Sequence, residues 1–227
     1  MPIMPDLRLR TIVSAPFDEN SYILGRADRT EVLVIDPGFQ PDLILDALRD
    51  EGLEVAAILN THGHVDHIAG NAAMKKAYPA APIIVGAGDA DMLIDADLNM
   101  SAPFGLPIVS PPADRLAREG ETIEFAGLNF EVFEIPGHSP GHVVFLLRGT
   151  PDIVIGGDVL FRGSVGRTDL PGGSFAQLRA GIEAKLWPLP ADTVVYPGHG
   201  PVTTIGHEKR TNPFVGAAAI EQGPEIL

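Results

Sequence analysis

Apolar residues along this chain recur with two periods, and the switch between them predicts its elements. Leu7 to Val13, Ser21 to Leu24 and Glu31 to Ile35 alternate or run apolar and are punctuated by Gly25 and Pro37-Gly38, which predicts three strands. A helix follows: Pro41 suits its first turn, Leu43, Ile44, Ala47 and Leu48 share one face, and Gly52 fits its C-terminal cap. Val55 to Leu59 is short and continuous, as a buried strand is. Ile68 to Tyr78 predicts a second helix and Ile83 to Val85 a strand. From Ala87 to Arg118 the composition shifts to Gly, Pro and Asp, which predicts a long surface connection with one helical piece at Asp89 to Ile94. Strand patterns return at Thr122 to Phe125, Phe130 to Ile135, Val143 to Leu147, Ile153 to Ile155 and Thr193 to Val195, with a helix over Ser174 to Trp187. Strand, helix and loop thus recur in two similar halves without a linker, and residues 1–227 are expected to form a single α/β domain.

Chemistry concentrates where predicted strands end. Thr61-His62-Gly63-His64-Val65-Asp66-His67 follows the run Val55 to Leu59 and holds three of the seven histidines. Neutral imidazole and ionised carboxylate are donors for zinc and for harder divalent ions, so the cluster points to metal. One loop cannot complete a site, and further donors stand at other strand ends: His138 in Pro136 to His142, Asp158 after Ile153 to Gly157, and His199 in Tyr196 to Gly200. Glycines flank these donors, and a backbone without Cβ passes close to a metal.

Charge and cysteine content narrow the function. The 30 acidic against 16 basic residues give a net charge of -14, which argues against nucleic-acid binding and against an anionic membrane surface. The absence of cysteine excludes a disulfide scaffold and suits a reducing compartment. Met1 to Asn20 has no signal-length apolar run, so a cytoplasmic location is expected.

With these positions assembled, the sequence resembles the metallo-β-lactamase superfamily, and within it the short bacterial hydroxyacylglutathione hydrolases, or glyoxalase II enzymes. The matching stretches are Asp36-Pro37-Gly38, Thr61 to His67, Pro136 to His142, Gly157-Asp158 through Gly166-Arg167-Thr168-Asp169, Pro197 to Gly200, and Thr204 to Phe214. The resemblance implies a four-layer αβ/βα sandwich with two divalent metal ions, zinc first and iron or manganese also compatible, at one edge of its sheets. It implies His62, His64 and His138 on one ion, Asp66, His67 and His199 on the other, and Asp158 between them. The activity implied is hydrolysis of S-lactoylglutathione in methylglyoxal detoxification, by a hydroxide between the ions, with Asp66 and Asp158 as the catalytic carboxylates.

Substrate residues are read with their structural alternatives. Arg162 and Arg167 flank the loop after Asp158; Arg167 suits a glutathione carboxylate, or an ion pair with Asp169. Tyr22, Tyr196, Lys209 and Arg210 are further candidates for the substrate rim. His142 reads as a packed histidine, His207 as a surface residue, and Asp36 as a turn residue or the acceptor of a ligand imidazole proton. The longer glyoxalase II enzymes carry a C-terminal helical domain, whereas this sequence ends soon after Asn212-Pro213-Phe214, so a partner subunit of a homo-oligomer or residues 87–118 are expected to complete the glutathione pocket. The main rival within the superfamily is a persulfide dioxygenase using one iron.

Overall fold

The computed structural model describes residues 6–217 and 219. The first sheet takes β1 (Leu7–Ser14), β2 (Glu19–Arg26) and β3 (Glu31–Ile35) as an antiparallel meander. Helix α1 (Pro41–Asp50) then crosses to β4 (Glu54–Leu59), which lies parallel to β3. Two short helices, α2 (Val65–Ile68) and α3 (Asn71–Ala77), lead to β5 (Ile83–Gly86), and β6 (Arg115–Ala117) closes that sheet in parallel. The second sheet is built from β7 (Thr122–Phe125), β8 (Leu128–Glu134), β9 (Val143–Leu147) and β10 (Ile153–Gly157), each antiparallel to the one before. A small hairpin, β11 (Leu160–Phe161) with β12 (Ser164–Val165), precedes helix α4 (Phe175–Gly181). Strand β13 (Val194–Pro197) pairs parallel with β10, β14 (Thr203–Thr204) pairs with β13, and α5 (Ile205–Thr211) follows. The strand orders are β1-β2-β3-β4-β5-β6 and β14-β13-β10-β9-β8-β7.

Strand alternation makes four layers, because both faces of each sheet are apolar. Leu33, Ile35 and Leu59 of the first sheet face Phe130, Val132, Phe145 and Ile155 of the second across the central core. Their neighbours Val32, Val34 and Ile58 turn outward onto Ile44 and Leu48 of α1 and Met74 of α3. On the other side Val144, Leu146, Val154 and Val195 pack on Leu178 of α4, Ile182 and Ile205. Period 2 thus sends alternate residues to two different cores. The result is the expected αβ/βα sandwich, and among the described residues no helix is long and apolar enough to cross a membrane.

Helix ends follow local chemistry. Pro41 opens α1, and Gly52, at φ 63°, donates to Arg49 O at 3.1 Å to end it. Thr204 caps α5 by accepting from His207 N at 3.2 Å.

Three expectations change. The helix predicted over Ile68 to Tyr78 is instead α2 and α3, separated at Gly70, whose N–H donates to Pro37 O at 2.8 Å; a Cβ there would stand 2.8 Å from the carbonyl oxygens of Pro37 and Gly38. Residues 87–118 are more than a surface connection, since they supply β6 and bury Asp89, Met92, Leu93 and Asn99. The helix over Ser174 to Trp187 leaves α geometry at Ile182 and widens into a π-type turn to Leu186.

Candidate metal centre

Four strand ends meet at one edge of the sandwich. His62 and His64 lie in the loop after β4, and Asp66 and His67 start α2. His138 follows β8, Asp158 follows β10, and His199 follows β13. Parallel pairing of β10 with β13 places their ends side by side, with a register shift between Ile155 and Gly157 that turns the chain into Asp158. Gly198 permits the contact: a Cβ there would strike Asp158 Oδ1 and crowd His67 Cε1.

The donor atoms converge in overlapping groups. His138 Nε2 lies 2.9 Å from His64 Nδ1 and 3.2 Å from His62 Nε2. His199 Nε2 lies 3.3 Å from Asp66 Oδ2, and His67 Nε2 lies 3.8 Å from the same oxygen. Asp158 reaches both sides, with Oδ1 at 3.5 Å from His67 Nε2 and Oδ2 at 3.5 Å from His138 Nε2 and 3.6 Å from His199 Nε2. Within each of three groups, His62/His64/His138, His62/His67/Asp158 and Asp66/His67/His199, the ligand atoms lie within 4.8 Å of one another.

Hydrogen bonds on the far side of four of the five rings decide which nitrogen faces inward. His138 Nδ1 donates to Arg167 O at 2.8 Å, and His199 Nδ1 donates to Phe17 O at 3.1 Å. His67 Nδ1 donates to Asp36 Oδ2 at 3.1 Å. The Thr61 hydroxyl donates to the same Asp36 oxygen at 2.7 Å, so it accepts from His62 Nδ1 at 3.1 Å. Four Nε2 atoms are thereby left as bare lone pairs pointing at one another and at carboxylates. His67 Nε2 and Asp158 Oδ1 are buried with no hydrogen-bond partner. Orphaned acceptors facing one another are costly unless a cation stands among them, so the donors present fit divalent metal.

Without metal, proton affinity differs between the two sides. Burial keeps His62 well below the usual imidazole range, reinforced by the surrounding rings, and burial with His138 beside it pushes His64 down to about 3. Burial acts the same way on His67, but Asp66, Asp158 and Asp36 outweigh it and raise that ring well above its ordinary value. His199 is raised too, because the hydrogen bond to Asp66 and the Asp158 charge exceed the effect of its burial. Burial would raise Asp66, yet His67 and His199 hold it below the usual carboxylate range. Two rings held neutral by burial on one side, and two rings of raised proton affinity among carboxylates on the other, make two unlike positions.

Among the other expected residues, Asp36 is the imidazole partner, and it also accepts from Thr61 N at 2.7 Å. His142 is packed as expected: its ring stacks on His62 at 4.8 Å and its Nε2 accepts from Asp158 N at 3.0 Å. Tyr196 and Tyr22 are corrected from the substrate rim to the core between the sheets, where their rings meet edge to face at 5.7 Å and Tyr22 Oη donates to Pro197 O at 2.6 Å. Lys209 is also corrected, since its Nζ donates to Trp187 O at 3.0 Å on the outer face of α5 beside Arg179 and Glu183. Arg210, exposed in the last turn of α5, meets none of the donors among the described contacts. Arg162 is exposed in the β11–β12 turn, next to Phe161, whose ring is edge-on to His199 at 6.1 Å. Arg167 makes a two-pronged ion pair with Asp169 at 2.8 Å, with 61% and 69% of the side chains exposed, so the pair is open to exchange.

Sequence reading missed the clamp from β2. Asn20 Nδ2 donates to Pro197 O at 3.0 Å and Gly200 O at 2.9 Å, gripping the loop that carries His199. It also missed Glu19, wholly buried, whose carboxyl burial pushes well up and whose Oε2 accepts from Ser21 Oγ at 3.0 Å. Both stand at the start of a strand with no local pattern to mark them.

Comparison with known proteins gives the same frame. The profile of the Metallo-beta-lactamase superfamily matches residues 15–199. Hydroxyacylglutathione hydrolase GloC of Haemophilus influenzae is 35% identical over 214 residues, which is 93% of this chain and 99% of the relative. The crystal structure of BLEG-1 B3 metallo-beta-lactamase superposes with a TM-score of 0.87 at 38% identity, covering 92% of this chain and 99% of that one. TTHA1623 in a di-iron-bound form superposes with a TM-score of 0.78 at 38% identity, covering 90% and 99%. The chain belongs to the metallo-beta-lactamase superfamily.

Proposed function

We propose that this metallo-hydrolase cleaves glutathione thioesters, S-lactoylglutathione first among them, at a centre of two divalent ions. In this reading His62, His64 and His138 hold one ion, Asp66, His67 and His199 hold the other, and Asp158 gives one oxygen to each side. The observation that carries it is the Asp158 carboxylate, whose two oxygens stand 3.5 Å from His67 and from His138 in the two separate donor groups. Zinc suits imidazole and carboxylate donors without thiolate, and iron or manganese suit them as well.

Bound there, two such ions would supply a water acidic enough to ionise near neutral pH and a Lewis acid for the substrate carbonyl. The chain's own groups do the rest. His62 and His64 offer unprotonated nitrogens at neutral pH because burial keeps them neutral. Half-buried Asp66, an anion beside His199, is placed to accept a hydrogen bond from the attacking water and so to aim its lone pair. Arg167 can release Asp169 for a glutathione carboxylate, since both partners stand in solvent. The glutathione part of the reading is supported by the likeness to GloC over nearly the whole of both chains.

The test is turnover by zinc-loaded and by iron-loaded protein of S-lactoylglutathione, a cephalosporin and glutathione persulfide, with thioester absorbance, β-lactam absorbance and oxygen uptake recorded separately. Thioester loss with about two ions bound is the expected result. Turnover confined to the β-lactam, or oxygen uptake with a single iron, would replace it.

A further inference from the structure

Asp89 is a wholly buried carboxylate that no part of the reaction described above uses. It stands in the turn after β5, and both its oxygens are occupied. Oδ2 accepts from Gly63 N at 3.0 Å and from Ser139 Oγ at 2.6 Å, and Oδ1 accepts from Gly141 N at 2.5 Å. Gly63 lies between His62 and His64, and Ser139 follows His138. One carboxylate therefore ties together two loops that leave different sheets and carry all three rings of one donor group. The backbones mesh at the same place: a Cβ on Gly86 would strike Gly141 O, and one on Gly141 would strike Gly88 and Asp89 N.

We infer that Asp89 is the positioning residue for the His62/His64/His138 ion, holding the two loops at the separation that ion requires. The inference rests on the ligand assignment proposed above. Three donors converge on Asp89, and only an acceptor-only group with two oxygens satisfies them all. Among the described residues no lysine or arginine pairs with it. A neutral brace would have avoided burying an uncompensated charge, whereas a cation among the three rings offsets it. Asp36 plays a different part: it orients single rings, His67 directly and His62 through Thr61, whereas Asp89 holds the two loops together.

Asp89→Asn tests this directly. The amide has one acceptor, so one of the backbone N–H groups of Gly63 and Gly141 must face an NH2 and the loops shift. Titration of Co(II) into metal-free wild type is expected to fill two positions. In Asp89→Asn one position should fill as before and the other should bind about 10- to 100-fold more weakly, the range expected when an outer partner of a metal ligand is lost. The absorption of the one-cobalt variant should match that of His138→Ala and differ from that of His199→Ala. Equal affinity at both positions, or equal weakening of both together with a collapse of the metal-free Tm, would reduce Asp89 to a structural brace. If Asp89→Asn does not fold, Ser139→Ala removes a single bond and should weaken the same position a few-fold; no change there overturns the inference. A wild type that binds only one ion would instead overturn the ligand assignment.

Discussion

Replacing Asp36 by Asn should turn two of the proposed ligand rings inside out without unfolding the protein. Asp36 sits at φ 48°, a conformation Asn shares at little cost, so the backbone has no reason to move. Its Oδ1 accepts only from Thr61 N at 2.7 Å, and a backbone donor cannot exchange roles, so the amide oxygen must take that place. The NH2 then faces the Thr61 hydroxyl and His67 Nδ1, which are donors in the wild type. Both can adapt by becoming acceptors. His67 would then carry its proton on Nε2, pointing into the centre, and the Thr61 hydroxyl would turn its hydrogen to His62 Nδ1 and drive that ring to the same wrong tautomer. Each ion loses one lone pair, so each should bind about 10- to 100-fold more weakly, or roughly 1.4 to 2.7 kcal/mol per ion. Folding should lose only about 1 kcal/mol, since every hydrogen bond is remade with a neutral partner. Competition with a chromophoric chelator measures the first quantity and denaturation of the metal-free protein the second. Wild-type affinity at both positions would refute the tautomer argument, and so would a stability loss large enough to account for the whole effect.

Asp158→Ala should lower turnover by at least about a hundredfold and reduce the bound metal, because one carboxylate serves both groups; unchanged activity of the metal-replete variant would contradict the shared role. Arg167→Ala should leave the Tm nearly unmoved, as its ion pair is exposed, and raise KM roughly two- to fivefold with kcat intact; a pure Tm defect would assign it to structure. Acidification should release the ions in order. His67 and His199 have raised proton affinity without metal, so protons compete at the Asp66/His67/His199 position from above the ordinary imidazole range downward, costing about tenfold per pH unit for each proton displaced. His64, pushed down to about 3, and His62 stay neutral there, so the other ion should remain; simultaneous release of both between pH 8 and 5 would contradict this.

The pattern of apolar positions was sufficient for most of the strands and for α1, because alternation and 3.6-residue spacing are local consequences of backbone geometry. The seven donors were legible for a similar reason, as they cluster in the short stretches that follow strands, and His and Asp in glycine-rich turns have few structural uses. Tertiary structure alone decided the roles of Asp36, Asp89, Asn20 and Tyr196. Asp36 lies 25 residues from Thr61, and Asp89 lies 50 residues from Ser139. Asn20 is 177 residues from Pro197. Such hydrogen bonds exist only once two sheets have stacked, and no periodicity records them. Tyr196 is a rim candidate from the sequence, but strand alternation turns its ring inward, and whether that face meets solvent or a second sheet depends on residues remote in the chain.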